Sequence, residues 1–299
     1  MTKYSFLVTG GAGFIGSNMV DYLINLGHEV VIVDNLITGK KENINPNAKF
    51  YDLDLYYEKI DSILSDIDYV IHMAAIPNVQ QSIDQPLFTS EHNLVVTIKL
   101  LNSVRKFQNI KKFVFSSTSA IYGNPIEFPV KETFEPNPLS PYALQKLCSE
   151  QYIKMFTELY GLKAVCLRYF NVFGNRMTSE GAYKSVISVF TEQYNQGKPL
   201  TITNDGNQRR DFINVNDVVI ANYLSCINDT GTFNIFNVGC GSNISVNEIA
   251  NYFNSEITYI GTRIEPKETL CDNTKIKNKL GWSPSISVGD WLTNKLKKG

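Results

Sequence analysis

Apolar residues in the first half of the chain alternate between two rhythms. Tyr4-Ser5-Phe6-Leu7-Val8-Thr9 is a short β-branched and apolar run, the pattern of a buried strand. Phe14, Ile15, Met19, Val20, Leu23, Ile24 and Leu26 then recur at helical spacing until Gly27, which predicts a helix stop. A second strand-like run, Glu29-Val30-Val31-Ile32-Val33, ends at Asp34-Asn35. Further runs fall at Lys49-Phe50-Tyr51, Tyr69-Val70-Ile71-His72-Met73, Lys112-Phe113-Val114-Phe115 and 162–168, with amphipathic stretches between them. This alternation predicts an α/β fold, a doubly wound parallel (Rossmann) sheet over residues 1–170.

After Asn171 the rhythm breaks. Residues 174–181 read as a loop, a helix is expected from about 183 to 196, and Pro199-Leu200-Thr201-Ile202-Thr203 as a short strand. Short elements follow, interrupted by Gly239, Gly241, Gly261, Pro266 and Gly281. These predict a smaller C-terminal α/β substrate domain over 171–299, with segments around 211–238 returning to the sheet.

Bulk properties narrow the class. With 299 residues and 43% hydrophobic content, the chain can bury one large core or two unequal ones. A net charge of -1 gives no reason to expect nucleic acid or a membrane surface as partner, and no apolar stretch is long enough to span a bilayer. Met1-Thr2-Lys3 runs straight into the first strand, so we expect no leader and a cytoplasmic location. The five cysteines (Cys148, Cys166, Cys226, Cys240, Cys271) are scattered without CxxC spacing, and there are three histidines; no metal site is expected.

Between the first strand and helix lies Gly10-Gly11-Ala12-Gly13-Phe14-Ile15-Gly16. Glycines at 10 and 13 would let the backbone approach a pyrophosphate, whose charge the free N–H groups of a helix start favour. Gly16 would let helix and strand pack closely. Asp34, eighteen positions after the last glycine, can accept hydrogen bonds from adenosine ribose hydroxyls and would repel a 2′-phosphate. The expected cofactor is NAD rather than NADP, with Lys40 and Lys41 as the features arguing the other way.

Tyr142-Ala143-Leu144-Gln145-Lys146 follows Ser140-Pro141, a serine N-cap and a proline at the first helical position. Tyr142 and Lys146 then share a face at i,i+4. A free phenol titrates near ~10; the Lys146 ammonium and a positive nicotinamide both favour phenolate, making Tyr142 a general base. A third group is expected from Ser116-Ser117-Thr118-Ser119, at the end of an apolar strand. Its hydroxyl would bridge substrate oxygen and phenol, the others serving as caps. Five of the six arginines (Arg168, Arg176, Arg209, Arg210, Arg263) lie in the second half. That cluster fits a second diphosphate bound opposite the first, with at least two of the five left as surface arginines.

The G-x-x-G-x-x-G spacing with the later Tyr-x-x-x-Lys resembles the extended branch of the short-chain dehydrogenase/reductase superfamily, from Gly10 to Leu280-Gly281-Trp282-Ser283-Pro284. Dehydratases of that branch read S-T-D-E-V-Y-G where this chain reads Ser117-Thr118-Ser119-Ala120-Ile121-Tyr122-Gly123, and decarboxylating relatives keep a glutamate there. With Ser119 and Ala120 in the acid positions, the pattern resembles UDP-sugar 4-epimerases. That resemblance implies oxidation at C4, rotation of a 4-keto sugar and return of the hydride, with Thr118 as the bridging hydroxyl. It places Phe14, Ile15, Asn35, Asp52, Leu53, Ala74, Ala75, Asn93, Ser116 and Phe170 at cofactor-contacting positions. Asn171 and Arg210 would hold the sugar diphosphate, with Arg209 solvated. Arg263 is the second phosphate arginine, although Arg263-Ile264-Glu265 is one residue tighter than the usual R-x-G-[DE]. Val186-Ile187 and Thr203 fall where relatives hold uracil. Thr269 falls where epimerases restricted to plain hexoses carry tyrosine, which implies room for an N-acetyl group and turnover of both UDP-GlcNAc/UDP-GalNAc and UDP-Glc/UDP-Gal. The resemblance also implies a homodimer. A UDP-uronic acid 4-epimerase, a nucleotide-ketosugar reductase and, more remotely, a non-catalytic dinucleotide sensor stay open as alternatives.

Overall fold

Each apolar run of the first half forms a parallel strand in the computed structural model, which describes residues 2–177, 185–261 and 267–297. The strands are β1 (Ser5–Thr9), β2 (Glu29–Asp34), β3 (Lys49–Asp52), β4 (Tyr69–His72), β5 (Lys112–Thr118), β6 (Ala164–Tyr169), β7 (Asn171–Phe173), β8 (Leu200–Thr203), β9 (Arg209–Arg210), β10 (Phe212–Asn214), β11 (Phe233–Val238), β12 (Ile244–Ser245) and β13 (Ile257–Ile260). The helices are α1 (Phe14–Asn25), α2 (Asp61–Leu64), α3 (Val79–Asp84), α4 (Pro86–Ser90), α5 (Val96–Val104), α6 (Pro141–Tyr160), α7 (Val186–Asn195), α8 (Val215–Ile227), α9 (Val246–Asn251), α10 (Thr274–Leu280) and α11 (Val288–Leu296). One turn of π-helix, Glu91–Val95, joins α4 to α5.

Seven strands make one sheet in the order β11-β6-β5-β4-β1-β2-β3. Chain progression reverses between β1 and β4, which opens a crevice beyond their C-terminal ends. The glycine loop leaves β1 at that point. Alternate residues of β1 enter different cores: Phe6 and Val8 pack with Met19, Val20 and Leu23 of α1, while Leu7 packs with Leu100, Phe113 and Ile153. Both faces of the sheet are therefore covered, as near-continuous apolar strands require. A third core, including Phe173, Phe190, Leu200, Phe212 and Ile249, lies under the later elements.

α1 ends at Asn25, and Gly27 follows in the left-handed region at φ 84, as the sequence predicts. β5 runs through Thr118, three residues past its expected end, because Ser116, Ser117 and Thr118 pair with Leu167, Arg168 and Tyr169 of β6. The region 211–238 behaves in two ways. α8 packs on α1 and β5, and β11 extends the main sheet beside β6, whereas β10 pairs with β7 in a separate ribbon. The described part of the helix expected from 183 is α7; residues 183 and 184, and the end of the loop before them, lie outside the described residues.

Candidate active site

The glycine loop is shaped by what crowds it. Gly10 has φ 72, and a Cβ there would sit 2.7 Å from the backbone nitrogen of Ala74, so the end of β4 itself demands glycine. A Cβ on Gly16 would overlap the Gly10 carbonyl oxygen. Gly13 differs: its φ of -78 suits any residue, and a Cβ there would meet only the Gly10 carbonyl oxygen, at 3.2 Å. α1 starts at Phe14 and Ile15 with no side-chain cap and no acid in its first turn, while α6, α7, α8, α9 and α11 all have capping side chains. An uncapped, cradle-like helix start of this kind fits a dinucleotide pyrophosphate.

Asp34 closes the loop from the end of β2. Its carboxylate accepts the Ala12 N–H at 2.9 Å and the Leu36 N–H at 2.8 Å, and burial, with a smaller contribution from Asp52, raises its pKa. The acid thus shapes the loop. Asp52 pairs in register with Asp34, and the Leu53 N–H bonds the Asp34 carbonyl at 3.2 Å. Asn35 uses its amide on Asp54 and the Ile37 N–H. Ala74 and Ala75 follow β4, with the Ala74 N–H on Thr9 Oγ1 at 3.3 Å. Asn93 is fully engaged: it bonds both N–H and carbonyl of Ile76 and donates to Gln145 Oε1 at 2.7 Å. Its side chain thus holds the loop after Ala75 by the backbone of Ile76. Phe170 is buried with Ile121, Tyr122 and Cys271.

Below the loop, His72 is wholly buried. Thr97 Oγ1 donates to the Asn93 carbonyl and Thr9 Oγ1 accepts the Ala74 N–H. Nε2–H therefore donates to Thr97 at 3.0 Å, and Nδ1 accepts from Thr9 at 2.7 Å. Burial, with Lys146 adding to it, pushes the imidazole down to about 3, so it stays neutral.

α6 begins as expected: Ser140 Oγ accepts the Ala143 N–H and Pro141 is its first residue. Tyr142, half-buried, donates its backbone N–H to Ser82 Oγ at 3.1 Å. One turn on, Lys146 is buried over the Phe115 ring and donates Nζ to the Ser116 carbonyl at 2.9 Å. Burial pushes Lys146 down to about 7, against the opposing effects of Cys166 and Glu150. The three candidate hydroxyls separate. Ser117 turns inward, donating to Glu150 Oε1 at 2.6 Å. Thr118, half-buried, accepts the Ala120 N–H at 3.1 Å and caps the one-turn 3-10 helix Ser119–Tyr122, which leaves its hydroxyl proton for another partner. Ser119 is also half-buried, and Ser116 Oγ pairs with the Tyr169 hydroxyl at 3.0 Å.

Asn171, Arg210 and Thr269 gather around Asp211. Asn171 Nδ2 donates to the Asp211 carbonyl at 2.7 Å and to Thr269 Oγ1 at 3.3 Å, and Thr269 Oγ1 accepts the Asp211 N–H at 3.0 Å. Arg210 leans on the Arg209 carbonyl at 2.9 Å. The Asp211 carboxylate is buried, gathers the N–H groups of Cys240, Gly241 and Cys271, and is pushed up to about 6 by burial. Arg263 lies outside the described residues.

One arginine expectation is corrected and one is refined. Arg209 keeps a partly exposed side chain but has partners: it bonds Asn243 Oδ1 at 2.8 Å and pairs with Glu248 at 2.9 Å, because β9 and β12 run side by side. Arg168 serves neither a phosphate nor the surface; β6 buries it, and it forms an ion pair with Glu150. The sequence reading missed Glu150, although its i,i+4 spacing from Lys146 was a usable signal, and it missed Gln145 and Asp211, which carry no signal without their partners. Among the described residues no group of three or more His, Cys, Asp or Glu side chains could hold a metal.

Residues 6–239 match the model of the NAD dependent epimerase/dehydratase family. The chain belongs to that family. It is 41% identical to a Methanocaldococcus jannaschii protein provisionally named UDP-glucose 4-epimerase, over 96% of this chain and 98% of that one. Its structure resembles the UDP-glucose 4-epimerase of Thermotoga maritima solved with UDP-glucose, at TM-score 0.91, 38% identity and coverage of 98% and 99%. It also resembles the UDP-N-acetylglucosamine 4-epimerase of Methanobrevibacter ruminantium in complex with UDP-N-acetylmuramic acid, at TM-score 0.92, 36% identity and full coverage of both chains. This member of the extended short-chain dehydrogenase/reductases is NAD-dependent. No helix among its described residues is long and apolar enough to cross a membrane.

Proposed function

We propose that this enzyme is a UDP-hexose 4-epimerase that interconverts UDP-GlcNAc with UDP-GalNAc and UDP-Glc with UDP-Gal. The observation that carries the reading is the stapling of α6 to the hydroxyl end of β5 by Lys146 and the Ser116 carbonyl, with Tyr142 one helical turn before Lys146. When bound, NAD supplies the hydride acceptor and donor. Tyr142 holds and moves the proton at the C4 oxygen, Lys146 favours its phenolate, and Thr118 bridges phenol and sugar. No acid stands at Ser119 or Ala120 to drive elimination. The 4-keto sugar turns about its diphosphate, which Asn171, Arg210 and Arg263 hold, so binding energy rests on the part that does not react.

Thr269 supports the acetamido substrates: a small side chain held beside Asn171 leaves room a tyrosine would fill. A partition near residue 170, a cytoplasmic location and a homodimer belong to the same reading. Exposed Leu144, Tyr152, Met155 and Leu159 fall within one stripe of α6, a face that fits a second copy of the chain. The deciding experiment incubates the enzyme with UDP-hexoses and UDP-uronic acids without added cofactor and separates the products. Turnover only with external NAD(P)H would identify a reductase, and turnover of uronic acids alone would remove the hexose assignment.

A further inference from the structure

Behind the hydroxyl end of β5 lies a closed charge pair to which the roles given above to Tyr142, Lys146 and Thr118 assign no part. Glu150 stands one turn past Lys146 on α6 and Arg168 on β6, with side chains 0% and 3% exposed. The guanidinium grips both carboxylate oxygens, Nε to Oε1 at 3.0 Å and Nη2 to Oε2 at 2.6 Å. Arg168 Nη1 also donates to the Tyr122 hydroxyl at 2.8 Å, which in turn donates to Asn237 Oδ1 at 2.7 Å. Buried pairs of this kind add little stability over well-packed apolar residues, so stability alone does not account for it.

Its connections suggest a use. Glu150 Oε1 takes the hydroxyl of Ser117, the residue just before Thr118. Lys146, four residues earlier on the same helix, takes the carbonyl of Ser116. Two side chains of α6 thus tie down consecutive residues of β5, and Tyr142 continues the same spacing. We propose that Glu150, clamped by Arg168, is a positioning residue for proton transfer: it anchors Ser117, and with it the end of β5 that carries Thr118, and it fixes a negative charge beside the buried Lys146 ammonium. The proposal rests on the roles given above to Tyr142, Lys146 and Thr118.

The surroundings of Lys146 make the charge matter. Tyr142 lies a turn before it, neutral His72 faces it from β4, and Cys166 faces it from β6 with its thiol held protonated by burial. Glu150 is the fixed anion in that set, and it opposes the burial that drives Lys146 toward its neutral form. Without it, Lys146 loses its proton at lower pH and the alkaline limb of activity moves down.

The test compares Glu150→Gln, Glu150→Asp, the double variant Glu150→Gln/Arg168→Met, and Ser117→Ala, measuring kcat and KM from pH 6 to 10, NAD content and unfolding temperature. Glu150→Gln and the double variant keep KM and NAD content within about twofold, lose about tenfold in kcat, and shift the alkaline limb down by about one pH unit. Glu150→Asp keeps the limb in place. Ser117→Ala, which leaves the ion pair whole, loses about threefold in kcat with the limb and unfolding temperature unchanged. If Glu150→Gln does not fold, the double variant, which leaves no unpaired charge, carries the comparison, and Ser117→Ala carries it if neither folds. A kcat within about twofold of wild type, or a loss matched by lost folded enzyme with the limb unmoved, overturns the proposal. Tyr142→Phe, run in parallel, separates the two levels. Activity there defeats the reading of the site, whereas an inactive Tyr142→Phe beside an active Glu150→Gln defeats only this inference.

Discussion

Replacing His72 by phenylalanine should weaken the protein at neutral pH and leave it nearly unchanged in mild acid. In the folded chain the imidazole titrates at about 3; unfolded, it titrates near ~6.5. Between those values the unfolded state binds the extra proton, so wild-type stability falls as pH falls. Linkage gives a loss of about 2 kcal/mol between pH 7 and pH 5 from this group alone. Phenylalanine carries no such dependence and fits beside the Phe113 and Phe115 rings that flank His72. It leaves the Thr9 hydroxyl without its acceptor and Thr97 without its donor, a cost of about 2 kcal/mol. The variant should therefore be about 2 kcal/mol less stable at pH 7 and close to wild type at pH 5. Urea unfolding at both pH values, each with saturating NAD so that cofactor linkage is held fixed, measures the difference. An equal deficit at both pH values would falsify the assignment of a buried neutral histidine.

Four further outcomes follow from the site. Tyr142→Phe should lose ~10² to 10⁴ in turnover with NAD content intact; retention of more than about a tenth of wild-type rate would remove it as the base. Cofactor released by denaturation should be NAD without a 2′-phosphate, and Asp34→Ala should lower NAD retention because the Ala12 and Leu36 N–H groups lose their acceptor; unchanged retention and selectivity would contradict this role. Thr269→Tyr should depress kcat/KM for the acetamido sugars far more than for UDP-glucose, and equal effects on both pairs would show that another side chain sets the limit. Leu159→Glu on the exposed stripe of α6 should convert a dimer to a monomer in sedimentation, a result that an unchanged mass would contradict.

The early βαβ unit was legible because its signals are local. Apolar runs set β1 and β2, Gly27 stops α1, and Ser140 and Pro141 start α6; each depends on backbone conformation and neighbours within a turn or two. The Tyr142–Lys146 pair was readable for the same reason, since helical spacing fixes which residues share a face. Tertiary structure alone decided that the Ser117 hydroxyl is already taken, because its partner Glu150 lies 33 positions away. It also decided that Arg168 is buried against Glu150, and that Asn93 holds the backbone of Ile76. Those outcomes rest on partners brought together by the strand order β11-β6-β5-β4. A one-dimensional pattern records which residues are apolar and how they are spaced. Where a buried polar group finds the partner that burial obliges it to have is fixed only when distant strands pair.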